Sequence, residues 1–83
     1  MGGLRRGSTV PHERAFYQAL GENLSRARVR AELMQQDVAD ALGMTRAAVS
    51  LVENGRSGLP VHRLVEWCDL LCVKLGTIVP RTG

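Results

Sequence analysis

Two short apolar-periodic stretches joined by a single glycine constrain this chain more than any other feature. Gln35 to Leu42 is followed by Gly43-Met44, then by Thr45 to Asn54, and the second stretch closes on Asn54-Gly55. Counted from Gln35 as position one, Ala39 is the fifth residue, Gly43 the ninth and Val49 the fifteenth. Two helices crossing at about 90 to 120° through a tight turn need a small residue where their backbones nearly touch, and Ala39 supplies it. The turn needs a residue that adopts positive φ, which Gly43 does without steric cost. Val49 and Val52 then face the first helix of the pair, leaving Arg46, Ala47, Ser50 and Leu51 pointing outward. Thr45 suits the N-cap of the second helix and Gly55 its left-handed C-terminal position.

The rest of the chain supports a single helical domain. Eighty-three residues lie near the lower end of the size range for one core. Aromatic residues make up only 4% of the chain against 45% hydrophobic overall, so the core is expected from Leu, Val, Ala, Met and Ile. From about Glu13 to Arg30, the residues Phe16, Leu20, Leu24, Ala27 and Ala31 recur at helical spacing, which predicts an amphipathic first helix. Val61, Leu64, Val65, Trp67, Cys68, Leu71 and Cys72 predict a fourth helix after the loop Arg56 to Pro60. Leu75 to Pro80 fits either a short fifth helix or an extended segment, since Thr77-Ile78-Val79 between glycine and proline suits both. The expected organisation is a flexible basic arm over residues 1–11, a domain over 12–79 and a tail over 80–83. No apolar run approaches the ~18 residues that span a bilayer, and the basic N-terminus lacks the apolar stretch of a signal peptide. A cytoplasmic, reducing setting is the expectation.

The stretch Leu33 to Arg56 resembles the helix-turn-helix of the lambda-repressor and Cro-like (Xre-type) DNA-binding family throughout, and the resemblance runs from about residue 16 to 76. It implies a compact all-α fold of four to five helices whose Thr45 to Asn54 helix enters the major groove of double-stranded DNA. Arg46, Ala47, Ser50 and Leu51 are then the base-reading residues: a guanidinium pairs bidentately with guanine O6 and N7, and small apolar groups touch thymine methyls. Gln35, Thr45, Asn54, Arg56 and Arg63 are expected on the DNA backbone, with His62 a plain surface residue. Arg28 and Glu53 occupy positions that pair across helices in family members, which implies a salt bridge locking the first helix onto the reading helix. Three departures stand out. Met34 replaces the usual Ser/Thr cap, Glu32 stands where the family often ends its first helix with Gly, and the tail lacks the usual acidic pattern. The Glu32 corner is therefore expected to be shaped differently.

Eleven basic residues against eight acidic give a net charge of +3, which permits an anionic partner without demanding one. Bland readings stand beside the functional ones: Arg46 as a phosphate contact, Ala47 and Ala48 as plain helix formers, Gln35 as a helix-start residue. Cys68 and Cys72 read as small apolar side chains rather than a thiol sensor or metal site, because a metal requires more ligands than they and a distant His62 provide. No nucleophile with its base, carboxylate pair or phosphate-binding glycine loop is visible, so neither catalysis nor a cofactor is expected. The reading is a DNA-binding transcriptional regulator, a repressor in preference to an activator, binding a pseudo-palindromic operator as a homodimer. The rival is a protein-interaction module of the bridging or antitoxin type on the same fold. Leu75, Ile78 and Val79 are the expected dimer contact, as apolar groups left over once the core is filled.

Overall fold

The computed structural model describes residues 11–81. The chain is all-α, with helices α1 (Pro11–Arg30), α2 (Gln35–Leu42), α3 (Arg46–Glu53), α4 (Val61–Leu71) and α5 (Leu75–Ile78), and no strand among the described residues. α1 begins two residues before the apolar periodicity does and takes in Pro11, the last residue expected of the arm. A missing N–H is harmless at a first helical position, where no intrahelical acceptor exists. The arm itself, with Arg5 and Arg6, lies outside the described residues.

One core is filled from every helix: Leu20, Leu24 and Ala27 of α1, Val38, Ala39 and Leu42 of α2, Val49 and Val52 of α3, Trp67, Cys68 and Leu71 of α4, and Ile78 of α5. Phe16 only packs against its edge, and Ala31 is exposed because it lies in the turn that ends α1. In α4 the apolar periodicity overstates burial, since Val61, Val65 and Cys72 are exposed. Trp67 is fully buried and its indole N–H has no acceptor among the described residues, an omission of the kind that costs about 1–3 kcal/mol.

The crossing of α1 over the end of α3 depends on Gly21. A Cβ at that position would collide with the Val52 carbonyl oxygen and come within 2.6 Å of that of Glu53, so no other residue permits this approach. α2 packs on α3, Ala39 of α2 is fully buried, and Gly43 between the two helices holds φ at +69°.

Two expectations change here. The left-handed turn that ends α1 is formed without glycine: Glu32 adopts φ +60°, its N–H bonds the Val29 carbonyl at 2.9 Å, and the Leu33 N–H bonds Arg28 at 3.1 Å. The corner therefore keeps the shape a glycine would give, and a glutamate takes the left-handed conformation. Second, Ile78 is no leftover. α5 folds back onto α1, where Asn23 Nδ2 donates to the Ile78 carbonyl at 2.8 Å, and the Ile78 side chain is only 3% exposed. It belongs to the core of its own chain. Of the two forms open to Leu75 to Pro80, the chain takes the single helical turn, which Thr77 closes by donating its hydroxyl to the Lys74 carbonyl.

Candidate nucleic-acid interface

α3 presents one face inward and one outward. Val49, Val52 and Glu53 are buried, whereas Arg46, Ala47, Leu51 and Asn54 are exposed and Ser50 is half-buried. The helix starts cleanly because Thr45 Oγ1 accepts the Ala48 N–H at 3.0 Å, which uses the hydroxyl's acceptor side. At its other end Asn54 Nδ2 donates to the Ser50 carbonyl at 2.9 Å and also approaches Ser50 Oγ at 3.3 Å. Eight residues make a rod about 12 Å long, comparable with the width of a DNA major groove.

A buried polar cluster fixes the direction of that rod. Arg28 Nε and Nη2 donate to the two oxygens of Glu53 at 2.7 and 3.2 Å, Arg28 Nη1 donates to the Leu33 carbonyl at 2.6 Å, and Gln35 Nε2 donates to Glu53 Oε1 at 3.0 Å. The Arg28 and Glu53 side chains are 13% and 4% exposed. α1, α2 and α3 are joined through one carboxylate, so α3 cannot rotate without stranding a charge. Gln35 thus has part of its amide committed inward, while the first N–H groups of α2 have no intrahelical acceptor. Met34 gives α2 no side-chain cap, and Asp37 compensates by accepting the Met34 N–H at 2.8 Å.

The flanking residues separate into two grooves of opposite character. One, of about 690 Å³, is lined by Arg14, Tyr17, Gln18 and the run Asn54 to Gly58, with two guanidinium groups and no carboxylate. The other, of about 850 Å³, is lined by Asp40, Glu66 and Asp69 together with Arg63 and the end of α2. Arg63 was expected on the DNA backbone, but its guanidinium is engaged by the Leu42 carbonyl and by Glu66 at 3.1 Å, among acids. It holds α4 to the end of α2. Arg14 and Tyr17 were not anticipated from the sequence. Nothing in the spacing of α1 indicates that the loop after α3 folds back over its first turns.

Cys68 is buried, and burial, followed by the neighbouring Asp69 carboxylate, pushes its thiol pKa up, away from the reactive thiolate; Cys72 is exposed at the end of α4. Among the described residues, no group of three or more His, Cys, Asp or Glu stands together as a metal site would require.

Comparison with known proteins decides the family. Residues 19–77 match the model of the helix-turn-helix domain. The chain belongs to this helix-turn-helix family. No curated protein sequence matches it. Solved structures share the fold: the restriction-modification controller protein C.AhdI from Aeromonas hydrophila has a TM-score of 0.72 at 22% identity, covering 77% of this chain and 97% of that one. The clp gene regulator ClgR from C. glutamicum has a TM-score of 0.72 at 22% identity, covering 76% and 82%. The hypothetical transcription factor NHTF from Neisseria has a TM-score of 0.73 at 23% identity, covering 94% and 90%. In this helix-turn-helix protein α2 and α3 form the motif, with Gly43 at its turn. Among the described residues no helix is long and apolar enough to cross a membrane.

Proposed function

We propose that this helix-turn-helix protein binds double-stranded DNA and regulates transcription, with α3 in the major groove and Arg46 as its principal base-reading residue. The observation that carries this reading is the outward face of α3: Arg46, Ala47 and Leu51 exposed at its N-terminal and central turns, on a helix whose orientation is fixed by the Arg28–Glu53 pair. Arg46 takes part in no ion pair among the described residues, so its guanidinium is available for a base edge or a phosphate. Leu51, 47% exposed, suits contact with a thymine methyl and with no polar base edge. Ser50 supplies a hydroxyl beside it. Gln35, Thr45, Asn54 and Arg56 are assigned to the DNA backbone, while Arg63 is left out of the interface because it is engaged elsewhere. The names of the similar structures, a restriction-modification controller and a gene regulator, support the same assignment.

A single reader this short contacts few base pairs, so we infer a homodimer on a pseudo-palindromic site, acting as a repressor by occupying it. With Ile78 in the core, the exposed Leu75 and half-buried Val79 are what is left of the expected contact.

The test is selection of bound sequences from a random duplex pool, followed by titration of Arg46→Ala on the preferred site. The expected results are a two-fold symmetric consensus and a loss of about 1–3 kcal/mol confined to one base position per half-site. A uniform loss on all sequences would reduce Arg46 to a phosphate contact, and the absence of any selected sequence would overturn the reading.

A further inference from the structure

The groove between α1 and the loop that follows α3 has no role in reading bases, and its construction points to a ligand of one kind. Its lining contains Arg14 and Arg56, the amide of Asn54, the ring of Tyr17 and the backbone of Gly55 and Gly58, and no acidic side chain. Neither arginine takes part in an ion pair among the described residues, where the pairs are Arg28–Glu53 and Arg63–Glu66. The walls are tightly fitted. A Cβ at Gly55 would lie 2.7 Å from Gln18 Cα, and one at Gly58 would lie 3.0 Å from the Tyr17 ring and 3.4 Å from its hydroxyl. Tyr17 is held in turn by an edge-on contact with Phe16, at 5.5 Å between ring centroids and 87° between planes. The loop is thus seated on the first turns of α1, and the two guanidinium groups line one opening although they are 42 residues apart in the chain.

We infer that this groove is a DNA-backbone phosphate clamp in which Arg14 and Tyr17 of α1 act together with Asn54 and Arg56. The inference rests on the reading of α3 as the base-contacting helix and extends it to a part of the molecule outside the helix-turn-helix. A rod about 12 Å long, with its N-terminal turn on base edges, carries its C-terminal end to the rim of a major groove about 12 Å wide. The rim is a row of phosphates, and Asn54, which caps that end of α3, also lines the groove. Paired guanidinium groups with an amide and a phenol are suited to phosphate oxygens, as donors without a competing carboxylate. The second groove, with Asp40, Glu66 and Asp69, would repel the same strand, so the charge on the two sides orients the protein.

The experiment is fluorescence polarisation with the full chain on a mixed-sequence duplex, across salt from 50 to 200 mM, for wild type, Arg14→Ala and Tyr17→Phe. Arg14 is exposed, and Tyr17→Phe keeps the ring that packs against the edge of the core, so circular dichroism is expected to show each variant folded. Arg14→Ala is expected to lower the slope of log affinity against log salt by about one per subunit, so that its deficit at 50 mM shrinks about threefold by 200 mM. Tyr17→Phe is expected to weaken binding without changing the slope, since it removes a hydrogen bond and no charge. In wild type, the Gly55 and Gly58 amide resonances should shift on adding duplex. A wild-type protein that binds no duplex overturns both this inference and the function it rests on. A protein that binds duplex normally with Arg14→Ala at an unaltered slope overturns the clamp alone. Glycine amides that respond to inorganic phosphate while duplex affinity ignores Arg14 would likewise overturn it, in favour of a site for the free anion.

Discussion

Helices α1 to α4 each end in a left-handed residue, yet glycine fills that position only at the two ends that bracket α3. Gly43 and Gly55 hold φ at +69° and +73°, while the outer corners after α1 and α4 use Glu32 at +60° and Cys72 at +57°. The backbone bonding is alike: Gly55 and Arg56 bond back to Val52 and Leu51, and Cys72 and Val73 bond back to Asp69 and Cys68 in the same pattern. What sets Gly55 apart is its surroundings. Gly55 is pressed against Gln18, whereas Glu32 and Cys72 are exposed. A left-handed dihedral alone can be borne by an ordinary side chain at about 1–2 kcal/mol, but a left-handed dihedral against another helix's backbone cannot. Only the corner pressed against another helix, at Gly55, demands glycine for space; at Gly43, as at Glu32 and Cys72, only the dihedral is at stake.

The largest test of that contrast is Gly55→Ala. It combines the dihedral penalty with a Cβ placed 2.7 Å from Gln18 Cα, so the expected loss is about 3–4 kcal/mol by chemical denaturation. Duplex affinity should fall as well, because the loop carrying Arg56 is lifted from α1. A loss near 1 kcal/mol would mean that the loop moves aside freely and that space decides nothing.

Gly43→Ala separates the two components. Its Cβ would meet nothing within 4 Å, so only the dihedral is penalised, and part of that is returned because alanine restricts the unfolded chain. The expected net loss is about 1 kcal/mol, a fall in Tm of about 4–8 °C for a domain of this size. A loss as large as at Gly55 would erase the distinction between dihedral and contact.

The same contrast explains what could be read in advance. Gly43 and Gly55 were legible because glycine at the end of a helical period has a local meaning, and so were the bounds of α2 and α3 and the inward faces of Val49 and Val52. The left-handed ends at Glu32 and Cys72 carry no such mark; Cys72 read as one more residue of the α4 period. Gly21 has no such local meaning, since a glycine inside a helix does not say what lies against it. The burial of Ile78 is not legible, because four residues of α5 are too few to show a period, and only its contact with α1 determines its side. The Arg14–Arg56 groove joins residues whose proximity exists only once the chain is folded, and the same is true of Arg63 at the end of α2.

The smallest effect, and the one that isolates dihedral strain, comes from replacing the outer residues with glycine. Glu32→Gly relieves a left-handed penalty of about 1–2 kcal/mol, but the glycine gives back about 0.4–1 kcal/mol through a freer unfolded chain. The expected balance is a gain of about 0.5–1 kcal/mol, seen as a Tm higher by a few degrees. Cys72→Gly should give a gain of similar size, since an exposed thiol contributes little packing. Glu32→Ala is the decisive companion, because alanine removes the carboxylate and keeps the Cβ. If strain is what the corner bears, alanine leaves Tm nearly unchanged and glycine raises it. If alanine and glycine raise it equally, the carboxylate was the unfavourable group, and the outer corners would teach nothing about backbone conformation.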